Sequence, residues 1–222
     1  MEFLVHLWEG ILEAFKGAPM TLSISFIAVV IGLVIGFLLA LMREAKHKVW
    51  RVISMIYTDI VRGTPLVVQI FIASYGIPAL LQSYGIQFKW ADPAYPAIVV
   101  CGLNSAAYMG EIIRAGLEAI DIGQHEAALS LGMTPRQVNR LVVIPQAIKI
   151  IMPAIGNELV TMIKETSVLS FAAVVEIMRR GVLLASRTFN FFSCYIGVAI
   201  VYMVFTIPLS KLVLLMEKKL AE

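Results

Sequence analysis

A carboxylate in an apolar stretch, Glu158, and the triplet Glu126-Ala127-Ala128 followed by Gly132 in a polar one are the residues whose type and spacing can do chemistry. An ionisable group inside a membrane-length apolar segment costs about 2.5–3.5 kcal/mol to insert, so it is retained where it faces a cavity, a ligand or a partner charge. Pro153 and Gly156 lie just before Glu158. The helix is therefore expected to break or distort there, freeing backbone groups that only protein or water can satisfy. Asn104, between Leu103 and Ser105, is a second polar group at depth. A helix–helix hydrogen bond competes as the reading for Asn104, and an internal salt bridge as the reading for Glu158.

Other chemistry is excluded. His125-Glu126 opens like the zinc-protease pattern H-E-x-x-H, but Leu129 stands where the second ligand is needed. There are no paired catalytic carboxylates, no histidine cluster and no activated serine or cysteine arrangement. A phosphate-binding G-x-x-x-x-G-K-[ST] loop is missing too, so this chain is no ATP-driven motor by itself. Cys101 and Cys194 fall in apolar stretches and read as packing residues, not as a disulfide or a metal pair. No metal, cofactor or nucleic acid is expected.

These residues must be positioned by membrane helices. The chain has 222 residues, of which 59% are hydrophobic and only 15% charged, against roughly 25% charged in a soluble domain. Segments 17–42, 63–88, 93–110 and 188–210 contain no Asp, Glu, Lys or Arg. A crossing helix needs about 20 apolar residues. A fourth span, about residues 150–175, is interrupted by Glu158, Lys164 and Glu165, and the fifth covers about 190–216. The result is one all-α membrane domain of five helices over residues 1–222, with no internal repeat and no linker. Gly32 and Gly36 form a small-xxx-small pair that reads as local packing. The N-terminus has no basic region before an apolar core and reads as an amphipathic interfacial helix, with Phe3, Leu4, Leu7, Trp8, Ile11, Leu12 and Phe15 on one face.

Arg43, Lys46, Lys48 and Arg51 crowd the loop after the first span, which the positive-inside rule places in the cytoplasm. The N-terminus is then outside, residues 111–149 are cytoplasmic with Arg114, Arg136, Arg140 and Lys149, and the C-terminus returns inside with Lys218 and Lys219. Arg179, Arg180 and Arg187 fall in the outer loop, against the rule, but the inner side carries more bases. Asp59 and Arg62, three apart, are expected to form a local ion pair. Lys164 and Glu165 are adjacent, do not face each other, and read as inter-subunit or gating contacts.

The polar loop at about 121–145 is too charged for lipid. Asp121 can cap a short helix, with Gln124 closing a capping box, and Gly132 suits a left-handed stop. Thr134, Pro135 and Gln137 then start a second helix with a second capping box. Two short helices meeting at Gly132 make a rigid corner. Its apolar face of Ala127, Ala128 and Leu131 suits insertion into a partner's groove.

The run Glu126-Ala127-Ala128-x3-Gly132-x9-Val142-x-Ile144-Pro145 resembles the EAA loop of importer-type ABC permeases. Arg62-Gly63-Thr64-Pro65-Leu66 with Gln69, Glu111-Ile112-Ile113-Arg114-Ala115-Gly116, Ile144-Pro145-Gln146-Ala147 and Lys164-Glu165-Thr166-Ser167 match the polar amino-acid permeases in order and spacing. The chain departs from that pattern at Val142, at Ile144 and at Met152-Pro153-Ala154, none of which removes a charged or hydrogen-bonding group. The resemblance implies the type I ABC importer permease fold in a bacterial inner membrane. It implies a cytoplasmic coupling helix carrying Glu126, Ala127, Ala128, Leu131 and Gly132, and an amino-acid site lined by Asn104 and Glu158. The implied partners are two ATPase subunits, a second permease subunit (identical or paralogous), and an extracytoplasmic binding protein that delivers a polar, chiefly basic or glutamine-type, amino acid. An ATP-independent carrier or channel is the competing class, and five spans without a repeat argue against it.

Overall fold

A computed structural model describes residues 2–221. Eleven α-helices follow one another among the described residues: α1 (Glu2–Phe15), α2 (Ala18–Arg43), α3 (Lys48–Arg62), α4 (Leu66–Phe71), α5 (Ile77–Ser83), α6 (Ala94–Glu118), α7 (Ile122–Ser130), α8 (Pro135–Val138), α9 (Ile144–Glu165), α10 (Ile177–Thr188) and α11 (Phe191–Ala221). A π turn, Ile72–Gly76, joins α4 to α5, a second one, Asn139–Val143, leads into α9, and a 3-10 segment, Thr166–Ala172, follows it. Five helical segments are long and apolar enough to cross a membrane: Ala18–Arg43, Leu66–Ser83, Ala94–Glu118, Pro135–Ala172 and Phe191–Leu220.

The centre of the fold is the pairing of α2 with α6. Gly32 and Gly36 make it possible. A Cβ on Gly32 would lie 2.6 Å from the Ser105 hydroxyl, and one on Gly36 would lie 2.6 Å from Met109 Cβ and 2.8 Å from the Gly110 nitrogen. The small-xxx-small pair is thus spent within the chain, where close backbone approach maximises van der Waals contact in a medium that gives helices no hydrophobic reason to associate. Around it Ile24, Ile70, Cys101, Met109, Met162 and Leu169 form the core. The opposite face of α2, with Phe26, Val34, Phe37 and Leu41, is exposed, as a lipid-facing stripe requires.

Several expectations need correction. The fourth span starts earlier and ends earlier than 150–175, because the π turn and α9 continue one helical column upward from Pro135 and the 3-10 segment closes it at Ala172. Nor is α9 broken at Pro153, which lies inside a continuous helix. Proline removes one donor, and the column absorbs that loss without ending. The third span extends past residue 110 to Glu118, because Glu111, Arg114 and Glu118 satisfy one another there. The supposed loop around Lys48 and Arg51 is largely helix, since only residues 44–47 separate α2 from α3.

Helix α3 is turned inside out. Its inward side is small and polar: Ser54 donates to the Leu39 carbonyl at 2.9 Å and Tyr57 to the Leu103 carbonyl at 2.6 Å. Val49, Ile53, Ile56 and Ile60 point outward. The N-terminal helix α1 forms as expected but is not simply interfacial. It packs along α10 and α11 through Gly10 and Ala14, leaving Leu4, Trp8, Leu12 and Phe15 exposed.

Candidate docking corner and intramembrane polar site

The corner between α7 and α8 is built by local chemistry. Asp121 is the N-cap of α7, its carboxylate accepting from the Gly123 amide at 2.6 Å. The reciprocal bond from Gln124 that would complete a capping box does not appear among the described residues. The backbone amide of Gln124 instead donates to the Asp121 carbonyl at 3.0 Å. At the other end Gly132 has φ +83°, with its amide on the Leu129 carbonyl at 2.9 Å and the Met133 amide on the Ala128 carbonyl at 3.2 Å. That pair of bonds is the Schellman arrangement, which satisfies the carbonyls a helix end otherwise orphans. Thr134 and Gln137 then cap α8 reciprocally, as their spacing requires.

Exposure divides the corner's residues. Glu126, Ala127, Leu131 and Gly132 are exposed, and Leu131 at 85% is the most exposed large apolar side chain among the described residues. Ala128 is buried and holds α7 against its own subunit. The corner's outward apolar residues are Ile122, Ala127, Leu129 and Leu131, of which Ile122 and Leu129 were not among the expected contacts. Their signal was present: two helical turns apart, Ile122 and Leu129 share one side of a short polar helix.

Inside the membrane the polar groups fall on neighbouring sides of α6. Asn104, 3% exposed, donates to Gln69 Oε1 at 3.2 Å. Gln69 in turn donates to the Val61 carbonyl at 2.8 Å and to the Thr64 hydroxyl at 2.9 Å, so it clamps the Arg62-Gly63-Thr64-Pro65 turn that starts α4. Ser105, the next residue along α6, donates to Glu158 Oε1 at 3.0 Å. Successive helical residues diverge by about 100°, so α6 presents one polar contact to α4 and the other to α9. Asn104 thus does make a helix–helix hydrogen bond. Glu158 is half-buried, and its partner among the described residues is a serine, not a base. Gly156, on the same helix, lets α9 approach Val213 of α11, since a Cβ there would lie 2.6 Å from Val213 Cγ2.

At the end of α6 near the corner, Glu111 gathers arginines from three helices. Arg114 lies at 2.8 Å, Arg43 of α2 at 3.2 Å and Arg62 of α3 at 3.9 Å. Arg62 also sits over the Tyr108 ring, 5.5 Å from its centroid. The expected Asp59–Arg62 pair does not form, because α3 folds back on α6 and brings Arg62 to a carboxylate that is already ordered. Lys164 is exposed and lines a cavity of about 460 Å³ with Tyr202 and Thr206, while the adjacent Glu165 is half-buried. Cys101 and Cys194 are both buried and free.

Comparison with known proteins agrees with this architecture. Residues 20–222 match the family described as binding-protein-dependent transport system inner membrane component. The chain is 38% identical over 205 residues to the arginine transport system permease protein ArtQ of Bacillus subtilis, covering 92% of this chain and 91% of that protein. It is 35% identical over 219 residues to a Rickettsia felis protein named for a glutamine transport system permease, covering 99% and 98%. A crystal structure of an amino acid ABC transporter with histidines superimposes with a TM-score of 0.85 at 39% identity, over 93% of this chain and 94% of that one. With a match over nearly its whole length and five membrane-length helices, this chain belongs to the family of binding-protein-dependent transport system inner membrane components, the multi-pass permease subunits of ABC transporters.

Proposed function

We propose that this permease imports a polar amino acid, cationic or glutamine-like, in an ATP-driven complex. The complex contains two ATPase subunits, a second permease subunit and an extracytoplasmic binding protein. The N-terminus is outside and the C-terminus cytoplasmic, which puts the α7–α8 corner beside the ATPases. Glu126, Ala127, Leu131 and Gly132 form the docking corner together with Ala128, which seats it on the subunit. Relatives named for arginine and glutamine transport support the substrate class.

The observation that carries the reading is a capped, exposed apolar corner on an otherwise membrane-bound chain that has no phosphate-binding loop. ATP-driven closure of the ATPases moves the corner, and the different contacts made in the two states shift the permease between outward- and inward-facing forms. Asn104 and Glu158 line the path, Asn104 through its carboxamide and Glu158 through a charge that pairs with a cationic side chain. In a medium of lower effective dielectric than water that pairing is stronger, and it disfavours an acidic substrate.

Reconstitution tests the proposal. Liposomes carrying the permease, the ATPase and the binding protein take up labelled arginine or glutamine only with ATP. Uptake by the permease without ATP or ATPase overturns it in favour of a secondary carrier.

A further inference from the structure

Glu176 is the one carboxylate of the described chain that is fully buried, at 0% exposure. It lies between the Thr166–Ala172 segment and α10, where four parts of the fold meet. Its Oε1 accepts from the Arg179 amide at 2.6 Å, and its Oε2 accepts from the Met178 amide at 2.7 Å and from the Tyr202 hydroxyl of α11 at 2.9 Å. The next amide, of Ile177, donates to the Thr21 hydroxyl of α2 at 3.2 Å. A Cβ on Gly17, at the start of α2, would lie 2.4 Å from the Glu176 carbonyl carbon. The N-terminus of α10 is thus seated on α2 and α11 through one carboxyl group and its neighbours.

Two further observations mark the seat's borders. Ala173 and Phe189, which bracket α10, have φ of 62° and 55° and are the only non-glycine residues of positive φ among those described. Left-handed backbone costs such residues energy, and here it ends the helical segments on either side of the seat. Beside the seat lies a cavity of about 460 Å³ lined in part by Lys164, Ser167, Met178, Tyr202 and Thr206, so the residue that donates to Glu176 also borders open space.

We propose that Glu176 is a positioning residue of the transport cycle: its carboxyl holds α10 on α2 and α11 in this conformation, and the seat opens to water when the permease switches. The inference rests on the ATP-driven import reading above. Burial pushes the Glu176 carboxyl up to about 7, against the opposing hydrogen bonds from Met178, Arg179 and Tyr202 and the charge of Arg179. The titratable or charged groups that bear on it are Arg179 on α10 and Tyr202 on α11. α2 brings only Thr21 and Gly17, the 3-10 segment brings Thr166 beside Tyr202, and α1 brings the apolar Ala14 to the adjoining Ile177. Between the ordinary carboxylate range and about 7 the buried acid holds a proton that a hydrated one releases. Acid therefore favours the closed seat, and rising pH favours its opening.

The test uses the complete complex in liposomes, with arginine and glutamine uptake measured between about pH 5.5 and 8.5, where neither side chain titrates. Wild-type uptake rises through about pH 7, the value to which burial brings the group. Glu176→Gln keeps the shape and an acceptor oxygen but stays neutral, and its uptake is flat at the wild type's acidic level. Tyr202→Phe removes a donor to the ionised form and moves the midpoint up by about one unit. Separately, the melting temperature of the detergent-solubilised wild type falls relative to Glu176→Gln as pH rises through the same window. Two results overturn the inference: a melting difference independent of pH, or a pH profile of Glu176→Gln that matches the wild type although the melting difference titrates. A complex that moves no arginine or glutamine at any pH refutes the import reading instead, and the melting comparison still decides whether Glu176 titrates in its seat.

Discussion

Replacing Gly132 with valine isolates the conformation of the docking corner from its packing. Gly132 has φ +83°, and a Cβ built there meets nothing within 4 Å. The change therefore adds no clash with the rest of the subunit, and its whole cost is backbone conformation. Holding an L-residue in the left-handed region costs about 1–2 kcal/mol, with a β-branched residue at the upper end. That is a factor of roughly 5–30 in the ratio of native to non-native corner. Asparagine tolerates this region through local hydrogen bonding of its short side chain, so Gly132→Asn is the control. The assay is ATP hydrolysis by the reconstituted complex, stimulated by loaded binding protein, alongside a check that each variant inserts. Gly132→Val is expected to lose stimulated hydrolysis, at most by roughly that 5–30-fold factor, and Gly132→Asn to stay near wild type. Equal activity of the two at the wild-type level refutes the reasoning that a rigid left-handed corner couples the subunits. Equal loss in both shows that the missing side chain, and not the backbone angle, is what the ATPase needs.

Four other outcomes are expected. Glu158→Gln keeps the acceptor for Ser105, which lies 3.0 Å away, and removes the charge, so uptake of arginine or lysine falls more than that of glutamine; equal losses assign Glu158 a structural role. Asn104→Leu breaks the bond to Gln69 and weakens uptake of every substrate, measured in the same assay. Gly36→Val places a Cβ 2.6 Å from Met109 Cβ and 2.8 Å from the Gly110 nitrogen; because backbone cannot yield as a side chain can, the melting temperature drops by the equivalent of about 1–3 kcal/mol or more. Single cysteines near Glu13 and Asp92 react with an impermeant thiol reagent applied to intact cells and one near Gln137 does not, whereas labelling of Gln137 reverses the proposed orientation.

Composition and run length alone determined the membrane class and four of the five spans, because the bilayer fixes how many apolar residues a crossing needs and forbids unpaired backbone; the fourth span, interrupted by Glu158, Lys164 and Glu165, took its limits from the structure. The corner was equally legible. Asp121, Gly132, Thr134, Pro135 and Gln137 act within a few residues of themselves, so caps and a left-handed stop can be read from spacing without knowing what lies nearby. Partners across the fold could not be read that way. Gln69 for Asn104, Ser105 for Glu158 and Glu111 for Arg62 lie 35, 53 and 49 residues away along the chain, and only the packing of α3, α4 and α9 around α6 selects them. The same holds for α3. Its apolar residues suggested no inward face because the face that packs is the polar one, Ser54 and Tyr57 donating to carbonyls of α2 and α6. Ala128, inside α7, and Leu131, at its C-cap, share an apolar character, yet one is buried and the other exposed. Local sequence sets which groups need satisfaction; the tertiary structure decides which group, tens of residues distant, provides it.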